Sequence, residues 1–394
     1  MRSLLLLLLV GCVESGSVQV GGDIDSALPD PPDPVGARAF DADRLQAILN
    51  DDVRASEGWG AALLSVAGPD GARFDGVSGD RTRDGEPAVL GDAFEVASVT
   101  KTFTAALILS LVREGRFELD DTLDEVLGGS TPPRLSDADG IDHTAEVTIR
   151  QLLQHTSGIP DYWTDPPYVA PGVNGFLAEF LRFERKRWTL PELLGHAANL
   201  DAPGLPGERW HYSDSNYVLL ALIAETVLGT TYTAALRDRI LAPHGLDQSW
   251  IFWEEPGPGV PLTARYEGRR DLTQWEHQSA DIGGGGLAST TADLIRFAER
   301  LADGTIVGDR LLGEMLRTVE TGAEGVGYGL GVTVVQLDDG TRLWGHDGYG
   351  GAFLYHWADR GLTWAGTINQ TERSSEPLQG AVVTELYRWT QDGG

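Results

Sequence analysis

From Phe103 to Val112 the chain carries no charge and is apolar on almost every side. A helix built from this stretch has no face to offer water, so the rest of the molecule must enclose it. Ser98-Val99-Thr100-Lys101 stands at its head, after the extended segment Ala93 to Ala97. On a helix, Ser98 and Lys101 lie one turn apart on the same face, and a hydroxyl and an amine point into one space. A serine hydroxyl becomes a useful nucleophile when a nearby base takes its proton. A lysine amine is such a base only when its surroundings leave it neutral. The backbone N–H groups of a helix start also favour the negative charge that builds up in acyl transfer.

Composition sharpens this reading. Of 30 basic residues only Lys101 and Lys186 are lysines, so the chain writes nearly all its positive charge as arginine. Arginine stays protonated in proteins, whereas a buried lysine can lose its proton. A lysine kept three residues after a helix-start serine is what this chemistry requires.

The N-terminus has a positive start, Met1-Arg2-Ser3, and a short apolar run, Leu4 to Val10, too short to span a bilayer, which takes about 20 apolar residues. Leu9-Val10-Gly11-Cys12 closes this run and resembles the lipobox of bacterial lipoproteins. That resemblance implies cleavage after residue 11 and acylation of Cys12, placing the protein in the cell envelope on a lipid anchor. Cys12 is the only cysteine, so the chain has no internal disulfide and no cysteine-based metal site. Residues 12–38, with Pro29, Pro31, Pro32 and Pro34, read as a disordered tether. Residues 39–394 follow without a second linker of this kind and read as one large domain with an inserted subdomain. A formal net charge of -29, more negative still once Arg2 is removed, argues against nucleic acid and anionic headgroups as partners.

Along the domain, Leu45, Ile48, Leu49 and Val53 have helical spacing, with Asp41 or Asp43 as cap. Ala61 to Ala67 and Ala72 to Val77 form a hairpin about Gly68-Pro69-Asp70-Gly71. Residues 120–280, rich in Pro, Trp and Gly, read as mainly helical, with a capped short helix over Thr148 to Gln154 and a longer one through Tyr217, Leu220, Ile223 and Val227. Gly283 to Gly286 lacks the lysine and the preceding strand of a phosphate loop, and reads as a close backbone crossing. Thr290 and Asp293 start a helix. Gly329 to Leu337 with Thr341 to Gly345, and Gly351 to Trp357 with Leu362 to Ile368, read as two hairpins. Ser375 caps a last helix bearing Leu378, Val382 and Leu386. The whole is an α+β fold: an antiparallel β-sheet flanked by N- and C-terminal helices, with a mainly helical insertion at about 120–280.

Two further clusters complete a set. Tyr212-Ser213-Asp214 lies inside the insertion and His346-Asp347-Gly348 at the end of a C-terminal strand. Ser98-x-x-Lys101, Tyr212-x-Asp214 and His346-x-Gly348, in this order and at these distances, resemble the serine β-lactamase and penicillin-binding-protein family. The resemblance is closest to its branch of class C β-lactamases, D-alanyl-D-alanine carboxypeptidases and esterases. Ile149 to Gly158 and Gly285 to Thr290 are similar to stretches of that branch, and the likeness covers roughly residues 40–390.

The resemblance implies a β-lactamase/transpeptidase-like fold and a serine hydrolase working through an acyl-enzyme. Its substrates would be D-amino-acid peptides related to peptidoglycan, or small esters; a β-lactamase and a non-catalytic penicillin or muropeptide sensor are the alternatives. Ser98 would be acylated, Lys101 and Tyr212 would move its proton, and which of them is the base stays open. The backbone N–H groups of Ser98 and Tyr349 would form the oxyanion hole. Asp214, His346, Asp347 and Gly348 would lie along the substrate. No cofactor is implied, and no metal-binding spacing occurs. His155 orders a loop, and His211 and His356 are packing or surface residues.

Two residues depart from the family pattern. Asp214 stands where asparagine is more usual, and an ionised Asp only accepts hydrogen bonds, so it should pair with Lys101 and hold it charged. His346 stands where β-lactamases usually carry lysine, and offers less charge to a substrate carboxylate. Both changes argue against efficient β-lactam hydrolysis.

Overall fold

The computed structural model describes residues 39–56, 60–138, 140–183, 185–267, 270–273, 276–337 and 339–391. Cys12 and the tether lie outside them. Helix α1 (Ala42–Ala55) starts where Asp41 accepts from the Arg44 N–H, satisfying one of the free donors of a helix start. Strands β1 (Ala61–Ala67) and β2 (Arg73–Gly79) form the expected hairpin. Near the other end come β3 (Val319–Glu320), β4 (Val326–Tyr328), β5 (Thr333–Gln336), β6 (Arg342–Gly348), β7 (Ala352–Trp357) and β8 (Leu362–Ile368). Together these make one antiparallel sheet in the order β3-β4-β5-β6-β7-β8-β1-β2. The two ends of the chain thus meet where β1 pairs with β8.

One sheet face is covered by α1 and a C-terminal helix, Glu376–Gln391, whose Leu378, Val382 and Leu386 pack with Leu45, Leu49, Phe353 and Trp364. On the other face lie α2 (Thr100–Arg113), α3 (Asp214–Leu228) and α4 (Thr291–Ala302). Helix α2 is buried along almost its whole length, and Phe103 stacks on Phe297 of α4 at 3.6 Å between ring centroids. Each enclosed large apolar side chain there contributes about 1.5–3 kcal/mol, and this burial fixes α2 and the serine at its head.

Two expectations are corrected. The chain over Gly329 to Leu337 is not one strand: Gly329 to Val332 turns, and β4 pairs with β5 on either side of it. The last helix starts, as expected, after Ser375, whose carbonyl accepts from the Gln379 N–H at 2.9 Å and whose Oγ accepts from the Gln379 side chain, while the Ser374 hydroxyl accepts from the Glu376 N–H. The region 120–280 also contains strands, such as Tyr168–Ala170 with Val173–Asn174. They are two or three residues long, too short for alternation to show in sequence.

Candidate active site

Ser98 sits in a single tight turn, Ala97–Val99, that runs directly into α2. Ala97 before it takes a φ of 45°, a left-handed conformation that a non-glycine residue holds only when its surroundings fix it, at a cost of about 1–3 kcal/mol. The turn brings Ser98 Oγ 3.0 Å from Lys101 Nζ. Lys101 is fully buried. It donates to the Gly284 carbonyl at 3.0 Å and forms an ion pair with Asp214 Oδ1 at 2.5 Å. Burial pulls its pKa down, but the charge of the paired Asp214 outweighs this and holds it well above the usual lysine value. Lys101 is therefore an ammonium, as the Asp at 214 led us to expect.

Tyr212 joins the pair from the loop before α3. The Lys101 ammonium lies 4.9 Å from the centroid of its ring. Burial pushes its hydroxyl well above the usual phenol range, against hydrogen bonding from Lys101 and Ser98, so the ring is a neutral phenol in the resting site. Ser98 and Lys101 thus share one space with a tyrosine from far along the chain.

Glycines close the site. A side chain at 284 would lie 2.6 Å from Asp281 Oδ1, 2.8 Å from Asp214 Oδ1 and 3.3 Å from Lys101 Nζ, so the glycine run is the close crossing its composition suggested. A side chain at 348 would meet the Val96 carbonyl at 2.2 Å. Gly348 therefore lets β6 lie against the segment leading to Ser98.

The third motif is arranged differently from expectation. His346 is buried, with Nδ1 2.6 Å from the Asp347 carbonyl and Nε2 3.0 Å from the Tyr328 hydroxyl. The carbonyl only accepts, so Nδ1 carries the proton and Nε2 accepts from Tyr328. Burial and the Lys101 charge lower the His346 pKa to about 3, leaving a neutral ring with both nitrogens engaged. Asp347 is not brought to the site. Successive strand residues face opposite sides of a sheet, and its carboxylate is held by Tyr355 and Gln379 on the C-terminal helix side.

Two residues that the sequence left unmarked belong here. Asp161 accepts from the Asp214 N–H at 3.0 Å, and its carboxyl is pushed up to about 7 by burial and then by the charges of Asp214 and Asp165. Asp281 precedes the glycine run, and burial with the neighbouring Asp214 charge pushes its carboxyl well up. Among the described residues no group of three or more His, Cys, Asp or Glu is placed to hold a metal ion.

This fold and site define a serine hydrolase with a Ser-x-x-Lys nucleophile and a partner tyrosine. The chain belongs to the Beta-lactamase family, whose model matches residues 47–387. It is similar to penicillin-binding protein 4 of Amycolatopsis lactamdurans, 30% identical over 315 residues that make up 75% of this chain and 76% of the relative. It also resembles penicillin-binding protein 4* of Bacillus subtilis, 26% identical over 279 residues, 66% of this chain; the match spans only 56% of that relative's length. Among solved structures, a D-stereospecific amidohydrolase from Streptomyces sp. superposes with a TM-score of 0.74 and 30% identity, covering 86% of this chain and 98% of its own.

Proposed function

We propose that the protein hydrolyses amides or esters of D-amino acids through an acyl-enzyme on Ser98, favouring substrates that present an amine over those that present a carboxylate. The observation that carries this reading is the pairing of charge around Ser98. Lys101 is matched by Asp214, and Arg265, whose side chain lies against Gly350, is matched by the buried Glu95 at 3.3 Å. His346 is neutral, and Asp161, with its carboxyl at about 7, carries part of a negative charge at neutral pH. A penicillin or a D-alanyl-D-alanine peptide brings a carboxylate that finds little free positive charge here, whereas an ammonium is welcome. The likeness to a D-stereospecific amidohydrolase supports the same substrate class.

In the proposed reaction Ser98 Oγ attacks the acyl carbon, and the backbone N–H groups of Ser98 and Tyr349 receive the oxyanion. One such donor is worth about 3–4 kcal/mol of transition-state stabilisation. Tyr212 passes a proton to the departing amine or alcohol in this scheme. Turnover of D-alanine p-nitroanilide, p-nitrophenyl acetate and a chromogenic cephalosporin, compared on one preparation, tests the reading. Faster turnover of the cephalosporin would overturn it, and stable labelling by penicillin without turnover would favour the sensor.

The same reading places the protein in the cell envelope, anchored through an acylated Cys12. Radiolabelled palmitate should enter the wild type and not Cys12→Ser; equal labelling of both would remove the anchor.

A further inference from the structure

We infer that Asp214 makes Lys101 a base by taking a proton from it, so that Ser98 loses its proton through a two-proton relay and not to a resting neutral lysine. The inference rests on acylation of Ser98 as proposed above, and deepens it.

An ammonium has three hydrogens and no lone pair, so it cannot accept a proton while all three remain. Lys101 Nζ directs hydrogen bonds to Ser98 Oγ and to the Gly284 carbonyl, each at 3.0 Å, which leaves one hydrogen for the ion pair with Asp214 Oδ1 at 2.5 Å. A backbone carbonyl cannot take a proton at ordinary pH, but a carboxylate can. If Nζ passes that hydrogen to Asp214, its lone pair is free to receive the hydroxyl proton of Ser98. The residue more usual at this position, asparagine, can accept a hydrogen bond but no proton.

Acidic groups flank Asp214. Asp281 faces the same space from before the glycine run, and Asp161 holds the Asp214 N–H from the loop after residues 149–153. Asp165 stands behind Asp161 and is bonded to His211 at 2.7 Å. Tyr212 lies against Lys101 from the same loop as Asp214, and the nearby His155 and His346 are neutral. Asp161, with its carboxyl at about 7, is partly ionised at neutral pH, and that charge disfavours a second one on Asp214 beside it.

The step balances. Nζ first gives a hydrogen to Asp214 Oδ1, the amine then turns its freed lone pair toward Ser98 Oγ, and the Ser98 proton moves onto it. The Oγ lone pair forms the bond to the acyl carbon, and the carbonyl π pair moves onto oxygen. On collapse the C–N or C–O bond breaks, the leaving atom takes a proton from Tyr212, Lys101 restores the phenol, and Asp214 returns its own proton to the amine. Asp214 acts through Lys101 and touches no substrate atom in this scheme.

The opposite view is that Asp214 merely locks Lys101 in its charged form; then Asp214→Asn would free the lysine and speed acylation. Stopped-flow acylation by p-nitrophenyl acetate, followed from pH 6 to 10 in the full chain, separates the two. The relay predicts that Asp214→Asn acylates about a hundredfold more slowly near neutral pH, and recovers only on the alkaline side, where Lys101 itself deprotonates. An unchanged or faster variant overturns the relay. A second measurement needs no variant: in mixtures of light and heavy water the wild-type acylation rate should depend on isotope fraction along a curve, as two moving protons require, and a straight line overturns the inference. A wild type that no ester acylates removes the functional reading itself, whereas a reactive wild type matched by Asp214→Asn removes the relay alone.

Discussion

The imidazole of His155 lies against the ring of Tyr212, with centroids 4.3 Å apart and planes 31° from parallel. His155 itself is fixed: Nδ1 accepts from the Ser213 N–H at 3.1 Å and lies 3.2 Å from Asn216 Nδ2, and the backbone takes a φ of 60°. Burial first, and then the charge of Lys101, hold the ring neutral. His155 thus orders its loop, as the sequence suggested, and through that loop it also sets the phenol beside Lys101. His155→Asn, which tolerates the left-handed backbone, should leave the fold intact and lower kcat by on the order of tenfold to a hundredfold through a misplaced Tyr212. Steady-state kinetics check this, and unchanged kcat would limit His155 to the loop.

Lys101→Arg keeps the positive charge and removes a proton acceptor of usable pKa. We expect turnover to fall nearly as far as in Ser98→Ala, where labelling by a fluorophosphonate should vanish. An active Lys101→Arg enzyme would show that the charge alone suffices.

Gly283 has a φ of 82°, and a side chain there would meet the Tyr217 carbonyl at 2.3 Å. Gly283→Ala should therefore cost at least about 1–3 kcal/mol from the backbone alone, with more from moving α3. Calorimetry should record a melting temperature several degrees lower.

Asp161 gives a pH test. Its carboxyl is pushed up to about 7 in the fold, against 3.8 as the ordinary value. The folded state holds this proton more tightly than the unfolded chain does. The resulting stability is full below the ordinary value and is lost as pH rises through about 7. Asp161→Asn, which can still accept from the Asp214 N–H, lacks this loss. Its melting temperature should gain on the wild type as pH rises from 4 to 7.5, by an amount worth of order one to a few kcal/mol. A difference that does not vary with pH would contradict the assignment.

Much of the site could be read before any coordinates because its chemistry is carried by local spacing. Ser98 and Lys101 are one turn apart, and the order of the three motifs brings Tyr212 and Asp214 to them. The sheet was readable where strands are long and bounded by turns, as in β1, β2, β7 and β8. Asp161 and Asp281 were not readable, because an isolated carboxylate in a chain with 59 acidic residues carries no local signal. Their importance comes from a tertiary approach to Asp214 that no spacing encodes. Asp347 was misplaced for a different reason. Alternation along β6, once His346 is taken to face the site, sends the next residue to the far side. The engagement of His346 by Tyr328 joins β6 to β4, and β4 itself was hidden by reading the chain from Gly329 as one strand.

The account stands or falls on covalent chemistry at Ser98. Intact-protein mass spectrometry after brief exposure to D-phenylalanine p-nitrophenyl ester, p-nitrophenyl acetate and benzylpenicillin reports nucleophile and substrate class together. We predict acyl adducts from the two esters, mapping to Ser98, transient in the wild type and absent in Ser98→Ala, with slower adduct formation from penicillin. Adducts that persist unchanged in Ser98→Ala, or none with any compound on folded protein, would contradict it.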